Sequence, residues 1–363
     1  ATAHRDRLHL SLTGTRDPST MNTAMAFVAA LLLALRAGSV AGGAPDAARS
    51  VPVFEAVPYV TAETSMFGPL IEGAAVDKSG NFYAANFNDT KAATGMAFPA
   101  QRLLYRDKAK PRSWFNAIRF DVDAAGVQEA YLGDVENHRV VRVRDPGNSG
   151  RFAHSETFCA SPDMLQPNDL AMAHSTHRLF LSGMRFTQDS VVGDGDLWTC
   201  DALGKARKLG SFRRTNGIEL SPDEKTLYVS EASNRGGNVV SNVILAFDVD
   251  VHSGDISGKR VFADFAAIDG SGANDVDGMR ADAHGNLYVA RWGAGKIAKL
   301  SSAGALVAYI RLPSIDEVTN LELAGPRGTD LFAVGACKSD PQKGCIDAYS
   351  APVQGRAFSN LHA

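Results

Sequence analysis

From about residue 70 onward, short apolar runs alternate with polar turn residues in an order that keeps returning. A small polar residue opens a short apolar strand, a turn follows, and a second strand carries an aromatic. One copy runs from Glu72-Gly73-Ala74 through Lys78-Ser79-Gly80-Asn81 to Phe82-Tyr83. Others run from Asn168-Asp169-Leu170 to Phe180, from Asn216-Gly217-Ile218 to Tyr228, from Asp277-Gly278-Met279 to Tyr288, and from Asn320-Leu321-Glu322 to Phe332. A degenerate copy runs from Ile118 to Leu132 around Tyr131. The aromatics fall at positions 83, 131, 180, 228, 288 and 332. Periods of roughly 40–50 residues holding several strands are the signature of propeller blades. Turns such as Ser221-Pro222-Asp223 and Ala283-His284-Gly285-Asn286 separate β-branched or alternating runs, and further strands are expected at 243–249 and 296–300. The fold class predicted is all-β, a six-bladed β-propeller, with no amphipathic helix after residue 50. Two packed β-sandwiches would explain the strands but not the period. The long interval between Tyr228 and Tyr288 predicts an enlarged loop over Ser233–Ser241. The segment Asn86–Arg112 reads as an insertion over one face.

In five copies the polar residue precedes the aromatic by 11 or 12 positions. Equivalent positions in propeller blades are related by rotation about the central axis. Glu72, Asn168, Asn216, Asp277 and Asn320 are therefore expected to ring one mouth of the channel. Asn and Asp favour turns in any case, whereas Glu does not, so Glu72 is the informative member. Two carboxylates and several amide oxygens facing one point form a site of hard oxygen ligands. Neither Cys nor His joins them, which argues against structural zinc, and oxygen-only sets suit calcium, magnesium or manganese. Converging carboxylates repel one another, and a divalent cation removes that cost.

Charge and composition narrow the classes. The chain has 363 residues, 37 Lys plus Arg against 40 Asp plus Glu, and a net charge of −3. That balance excludes nucleic acid as the main partner, since phosphate binding needs a basic surface. Ala24–Leu35 is a 12-residue apolar run, short of the roughly 20 residues a membrane-spanning helix needs. It matches the apolar region of a signal peptide, with Ser39-Val40-Ala41 as the cleavage site. Residues 1–43 are accordingly read as an N-terminal extension with a signal peptide from Met21 to about Ala41, and 44–363 as one propeller domain. Secretion is the expected localisation; a mitochondrial transit peptide and an N-terminal anchor are the alternatives. Residues 1–20 are given no role. Cys337 and Cys345 flank a short polar hairpin loop and are disulfide candidates. Cys159 and Cys200 can also pair, with three connectivities open. Asn88-Asp89-Thr90 is a glycosylation sequon at Asn88. Neither a Gly-x-Ser-x-Gly elbow nor a strand-borne G-x-G-x-x-G is present, against a serine hydrolase and a nicotinamide enzyme.

Glu72-Gly73, Gln166-Pro167-Asn168-Asp169, Thr215-Asn216-Gly217-Ile218 and Val276-Asp277-Gly278-Met279 appear in this order. As a set they resemble the SMP-30/gluconolactonase/luciferin-regenerating-enzyme family, over residues from about 68 to 337. The resemblance implies a six-bladed propeller that hydrolyses a small-molecule lactone or related ester. It implies one divalent metal held by Glu72, Asn216 and Asp277, with Asn168 beside it on the substrate and Asp277 also the general base. Calcium is the first candidate metal, with zinc, magnesium and manganese open. Sugar lactonases of this kind carry Arg two residues before the substrate Asn. Here Gln166 stands there, which removes a charged fork for ring hydroxyls and puts a sugar lactone in doubt. Val276 and Ala74 replace family prolines without removing a ligand. Gln166 and Arg185 are the further substrate-binding candidates, Arg185 for an anionic group. Trp292 is a candidate for the pocket floor and Glu231 for a supporting partner. His174 and His177 are read as surface residues. A strictosidine-synthase-like or paraoxonase-like propeller, and a non-catalytic calcium-binding propeller, are the competing readings. An open pocket beside the metal favours catalysis and a plugged one favours the binding protein.

Overall fold

The computed structural model describes residues 50–363 apart from 88–92, 98–99, 108–111, 147–151 and 153. The expected export segment from Met21 to Ala41 and the sequon at Asn88 lie outside the described residues.

The strands of the described residues assemble into six sheets. The second, third and fourth sheets are antiparallel four-stranded meanders, each made from one continuous stretch, as in Gln166–Ala173, Arg178–Met184, Gly195–Cys200 and Ala206–Phe212. The first strand of every sheet packs against the first strand of the next. Ile315–Ala324, in the last sheet, packs back against Ile71–Val76, in the first, and closes the ring. The architecture is an all-β propeller. Two packed sandwiches would not close in this way.

Closure uses the two ends of the domain. Val57–Val60 pairs with Gly344–Ser350 and supplies the outer strand of the last sheet. Val53–Glu55 pairs in parallel with Leu306–Arg311 and gives the fifth sheet a fifth strand. At the other end, Arg356–Asn360 forms a short helix whose Arg356 enters the axis of the ring. Among the described residues, no helix is long and apolar enough to cross a membrane.

The six aromatics that set the period all lie on second strands and are buried, with Phe180 and Tyr288 fully so. They pack between neighbouring strands and sheets: Tyr83 meets Phe120 at 4.6 Å between ring centroids, and Phe82 meets Phe332 at 5.0 Å. Burial of such a ring stabilises a core by several kcal/mol, about 3–5 by truncation, so each sheet needs one at this place.

Three expectations are corrected. Asn86–Arg112 is not an insertion: Ala93–Ala97 and Ala100–Tyr105 are the third and fourth strands of the first sheet. Ser233–Ser241 is not a loop but the tip of a long hairpin, Thr226–Arg235 against Asn238–Asp250. Its turn is Gly236-Gly237, both at positive φ (57° and 79°), the backbone that a two-residue hairpin turn requires. Two short helices occur after residue 50, Phe265–Asp269 and Arg356–Asn360.

Both cysteine pairs are bonded, Cys337–Cys345 as expected and Cys159–Cys200, which resolves the connectivity left open. They close loops with separations of 8 and 41 residues. Chain-entropy reasoning assigns about 2.5 kcal/mol to the short loop and about 4 kcal/mol to the long one. Replacing both cysteines of a pair by serine is therefore expected to lower stability more for Cys159–Cys200, measured by urea unfolding of the two double variants.

Candidate functional site

The inner strand of each sheet carries a register shift near the same end. It falls between Glu72 and Ala75, Phe115 and Ala117, Pro167 and Asp169, Thr215 and Ile218, Val276 and Met279, and Val318 and Asn320. Bulges of this kind re-aim a side chain at the rim of a ring of strands. The residues at or beside them are Glu72, Asn116, Asn168, Asn216, Asp277 and Thr319. The first five line one cavity of about 520 Å³ at the mouth of the channel.

Asn116 escaped the sequence pattern for a geometric reason. Its hairpin has six ladder pairs after the bulge and a five-residue turn, where the third sheet has five pairs and a four-residue turn. The polar residue is thereby displaced by three positions relative to the aromatic. Asn116 Nδ2 donates to the backbone oxygen of Asn168 at 2.9 Å and ties the two rims together. Asn320, the expected fifth ring member, sits one residue past its bulge. It points into the buried interior, where its Oδ1 accepts from Arg280 Nη2 at 2.8 Å.

The glycines after Asn216 and Asp277 permit this closeness. A Cβ on Gly217 would lie 2.3 Å from the Asp277 carbonyl oxygen, and one on Gly278 would lie 2.5 Å from the Asn320 side chain. Only Gly lets neighbouring inner strands approach so far.

Glu72 and Asp277 sit deep in the protein yet keep part of their surface open to the cavity. Burial pushes the pKa of both well up, and each carboxyl also feels nearby negative charge: Asp277 and Asp169 for Glu72, Asp275 and Asp169 for Asp277. An Asn216 hydrogen bond and the Arg214 charge favour the ionised form of Asp277 without cancelling this. The neighbouring acids are matched. Asp169 takes Arg119 at 2.7 Å and Arg280 at 3.1 Å, Glu322 takes Arg280 at 3.2 Å, Glu219 takes Arg356 at 2.7 Å, and Asp275 takes Arg214 at 2.5 Å. Among the described residues, Glu72 and Asp277 form no ion pair. Two adjacent, uncompensated carboxylates next to an amide oxygen are the donor set of a hard divalent cation. No three His, Cys, Asp or Glu side chains converge among the described residues, so Asn216 is needed to complete the set.

The remaining candidates separate cleanly. Gln166 lines the cavity and is exposed. Trp292 forms part of its wall, 42% exposed, rather than its floor. Arg185 does not line the cavity: its side chain is 60% exposed and pairs with Asp194 at 2.9 Å. The cationic residue at the cavity is Arg214, two residues before Asn216, which the sequence reading missed although it lies on the same strand face. Asp275, two residues before Asp277, was missed in the same way. Glu231 lies away from the cavity and accepts from the Arg213 backbone N–H at 3.0 Å.

His174 is not a surface residue. Burial, with the positive charge of Arg356 beside it, holds the pKa of its ring down to about 3. His177 contacts Asp121 at 2.7 Å, and burial raises Asp121 to about 6.

A family model described as SMP-30/Gluconolactonase/LRE-like region matches residues 124–336. The chain belongs to this family. The match includes Asn168, Asn216 and Asp277, while Glu72 lies before it and joins them through the fold. Regucalcin of Xenopus laevis is 29% identical over 141 residues, 36% of this chain and 43% of that protein. Regucalcin of Danio rerio is 24% identical over 178 residues, 46% of this chain and 56% of that protein. The chain thus spans about half the length of the curated relatives it matches. Among solved structures, a calcium-binding regucalcin from Agrobacterium tumefaciens aligns with a TM-score of 0.65 at 20% identity, covering 84% of this chain and 97% of that one. A gluconolactonase from Xanthomonas campestris aligns with a TM-score of 0.57 at 19% identity, covering 83% and 99%. These likenesses show the fold.

Two outcomes follow from these contacts. Arg280→Met leaves Asp169 and Glu322 short of a partner in a dry interior and is expected to cost about 3–5 kcal/mol, read by urea unfolding. His174 has a folded pKa below its unfolded value, so the unfolded chain takes up the proton first. Its contribution is present above about pH 6.5 and is lost as pH falls toward 3, by up to about 1.4 kcal/mol per pH unit. His174→Gln is expected to flatten the stability profile in that window.

Proposed function

We propose that this protein is a divalent-metal-dependent hydrolase that opens lactones or related esters, with each of the six sheets forming one blade around the site. The observation that carries the reading is that Glu72, Asn168, Asn216 and Asp277 come from four different sheets and line one open cavity, while Glu72 and Asp277, unlike Asp169, Asp275, Glu219 and Glu322, form no ion pair among the described residues. An open cavity beside the donor set favours catalysis over a purely binding propeller.

Glu72, Asn216 and Asp277 would hold the metal, with calcium the first candidate on oxygen ligands alone. A cation there would supply Lewis-acid polarisation of the ester carbonyl and would lower the pKa of nearby water. The chain's own groups do the rest. Asn168 and Asn116 sit on the same rim, positioned to hydrogen-bond the ester and the developing oxyanion. Asp277 accepts the proton of the attacking water and returns it to the ring oxygen as the C–O bond breaks, so lactone and water become a hydroxy acid.

The two disulfides and the apolar run Ala24–Leu35, followed by the cleavage site Ser39-Val40-Ala41, support passage through the secretory pathway as the accompanying proposal.

With purified protein and a lactone panel, turnover is expected to disappear with EDTA and return on adding one divalent metal. Asp277→Ala is expected to lower kcat/KM by about 10²–10⁴-fold, and Glu72→Gln to raise the metal concentration needed for half activity. Turnover indifferent to both EDTA and Asp277→Ala would overturn the reading.

A further inference from the structure

The level of the cavity above the donor set decides what kind of molecule fits. Leu70, Gln166, Arg214 and Asp275 each stand two residues before Glu72, Asn168, Asn216 and Asp277, and all four line the same cavity as a second tier. A polyhydroxylated ring needs unspent donors and acceptors at this tier. The two charged members are already committed to each other. Arg214 Nη2 meets Asp275 at 2.5 Å, with side-chain exposures of 5% and 13%. The other Asp275 oxygen accepts from Asn242 Nδ2 at 3.0 Å. Arg214 Nη2 also reaches Asn234 Oδ1 at 3.3 Å, and the Phe186 ring lies 5.7 Å from the guanidinium. Breaking this pair to serve substrate hydroxyls would leave a buried charge unmatched.

Most of the remaining lining is apolar, with Gln166 and Asn238 the polar exceptions. Leu70, Phe186 and Trp292 line the cavity and are 43%, 57% and 42% exposed, and Phe87, Val135, Met184 and Val239 add to this apolar surface. Large side chains exposed together around one opening mark a surface meant to be covered. The wall bearing Phe186 is built in advance, because its loop is clasped to the tip of the long hairpin. Gly237 N–H donates to the Gln188 oxygen at 2.8 Å, Ser190 N–H donates to the Asn234 oxygen at 3.1 Å, and Gly236 N–H donates to Asp189 Oδ1 at 2.9 Å.

We infer that the cavity selects a lactone or ester bearing a compact apolar substituent, alkyl or aryl. That group lies against Leu70, Phe186 and Trp292 while the ester sits over Glu72, Asn168, Asn216 and Asp277. This rests on the hydrolase reading above.

The test compares three δ-lactones on the full chain with saturating metal: dihydrocoumarin, a pentyl-substituted δ-lactone and glucono-δ-lactone. Each kcat/KM is divided by the lactone's spontaneous hydrolysis rate. The two apolar lactones are expected to exceed the hydroxylated one by at least about 10-fold. Phe186→Ala and Trp292→Ala, both at exposed positions, are expected to raise KM for the apolar lactones by about 10-fold with a smaller change in kcat, and so to narrow the preference. Equal or better turnover of glucono-δ-lactone, or a preference that neither variant moves, overturns the inference and leaves the hydrolase reading standing. Should no lactone be turned over above the Asp277→Ala background, the hydrolase reading fails. Calorimetric titration with the matching phenyl-substituted δ-lactam then tests the cavity alone: binding weakened by Phe186→Ala supports an apolar site, and absence of binding removes it.

Discussion

A charge network along the axis of the ring is the constraint on which the rest of this molecule depends. Arg119, Arg280 and Arg356 lie almost fully buried among Asp169, Glu219 and Glu322. The backbone oxygen of Ala74 accepts from Arg280 at 3.0 Å, and Asn320 accepts from it as well. Every one of the six sheets thus contributes at least one group. Ions removed from water are tolerable only when paired and hydrogen-bonded. The network therefore specifies how the sheets face one another as well as filling the space between them. Arg356 arrives from the C-terminal segment, so the end of the chain is part of the channel.

The same network explains why the site above it has its chemistry. Three arginines balance three acids below the cavity, and Arg214 balances Asp275 beside it. Glu72 and Asp277 are what remains unbalanced. Their raised pKa follows from burial and from the carboxylates around them, Asp277 and Asp169 for Glu72 and Asp275 and Asp169 for Asp277. The region is neutral where it must be stable and carries net negative charge only where an external cation could be received. Inner-strand bulges and the glycines at 217 and 278 supply the accompanying geometry, bringing side chains from separate sheets onto one rim.

Family membership places the chain among propellers whose relatives include regucalcins, and the solved structures at about 20% identity agree on architecture alone. The character of the cavity in this chain is set by the residues beside Glu72, Asn168, Asn216 and Asp277. Gln166 stands in the third sheet, Arg214 stands two residues before Asn216 in the fourth, and that Arg is locked to Asp275. A site can thus keep its floor while its upper walls change what it admits.

Much of the fold was legible in the chain because it repeats. An aromatic on each second strand and a polar residue 11 or 12 positions earlier mark a rotational copy, and rotation predicts convergence without any coordinates. That sufficed to bring Glu72, Asn168, Asn216 and Asp277 together and to set Cys337 against Cys345. Asn116 was hidden because one extra ladder pair and one extra turn residue shifted it out of phase. Asn320 was misplaced because its bulge falls one residue earlier, and Arg185 gave way to Arg214 because spacing along a strand does not reveal which cation is already paired outside the cavity. The partner of Cys159, the burial of His174 and the matching of arginines to acids across the axis depend on contacts distant in sequence. Local pattern determined the repeats and the residue types at the rim. Which charges neutralise one another, and which two are left facing the cavity, was decided only when the ring closed and took those groups out of water.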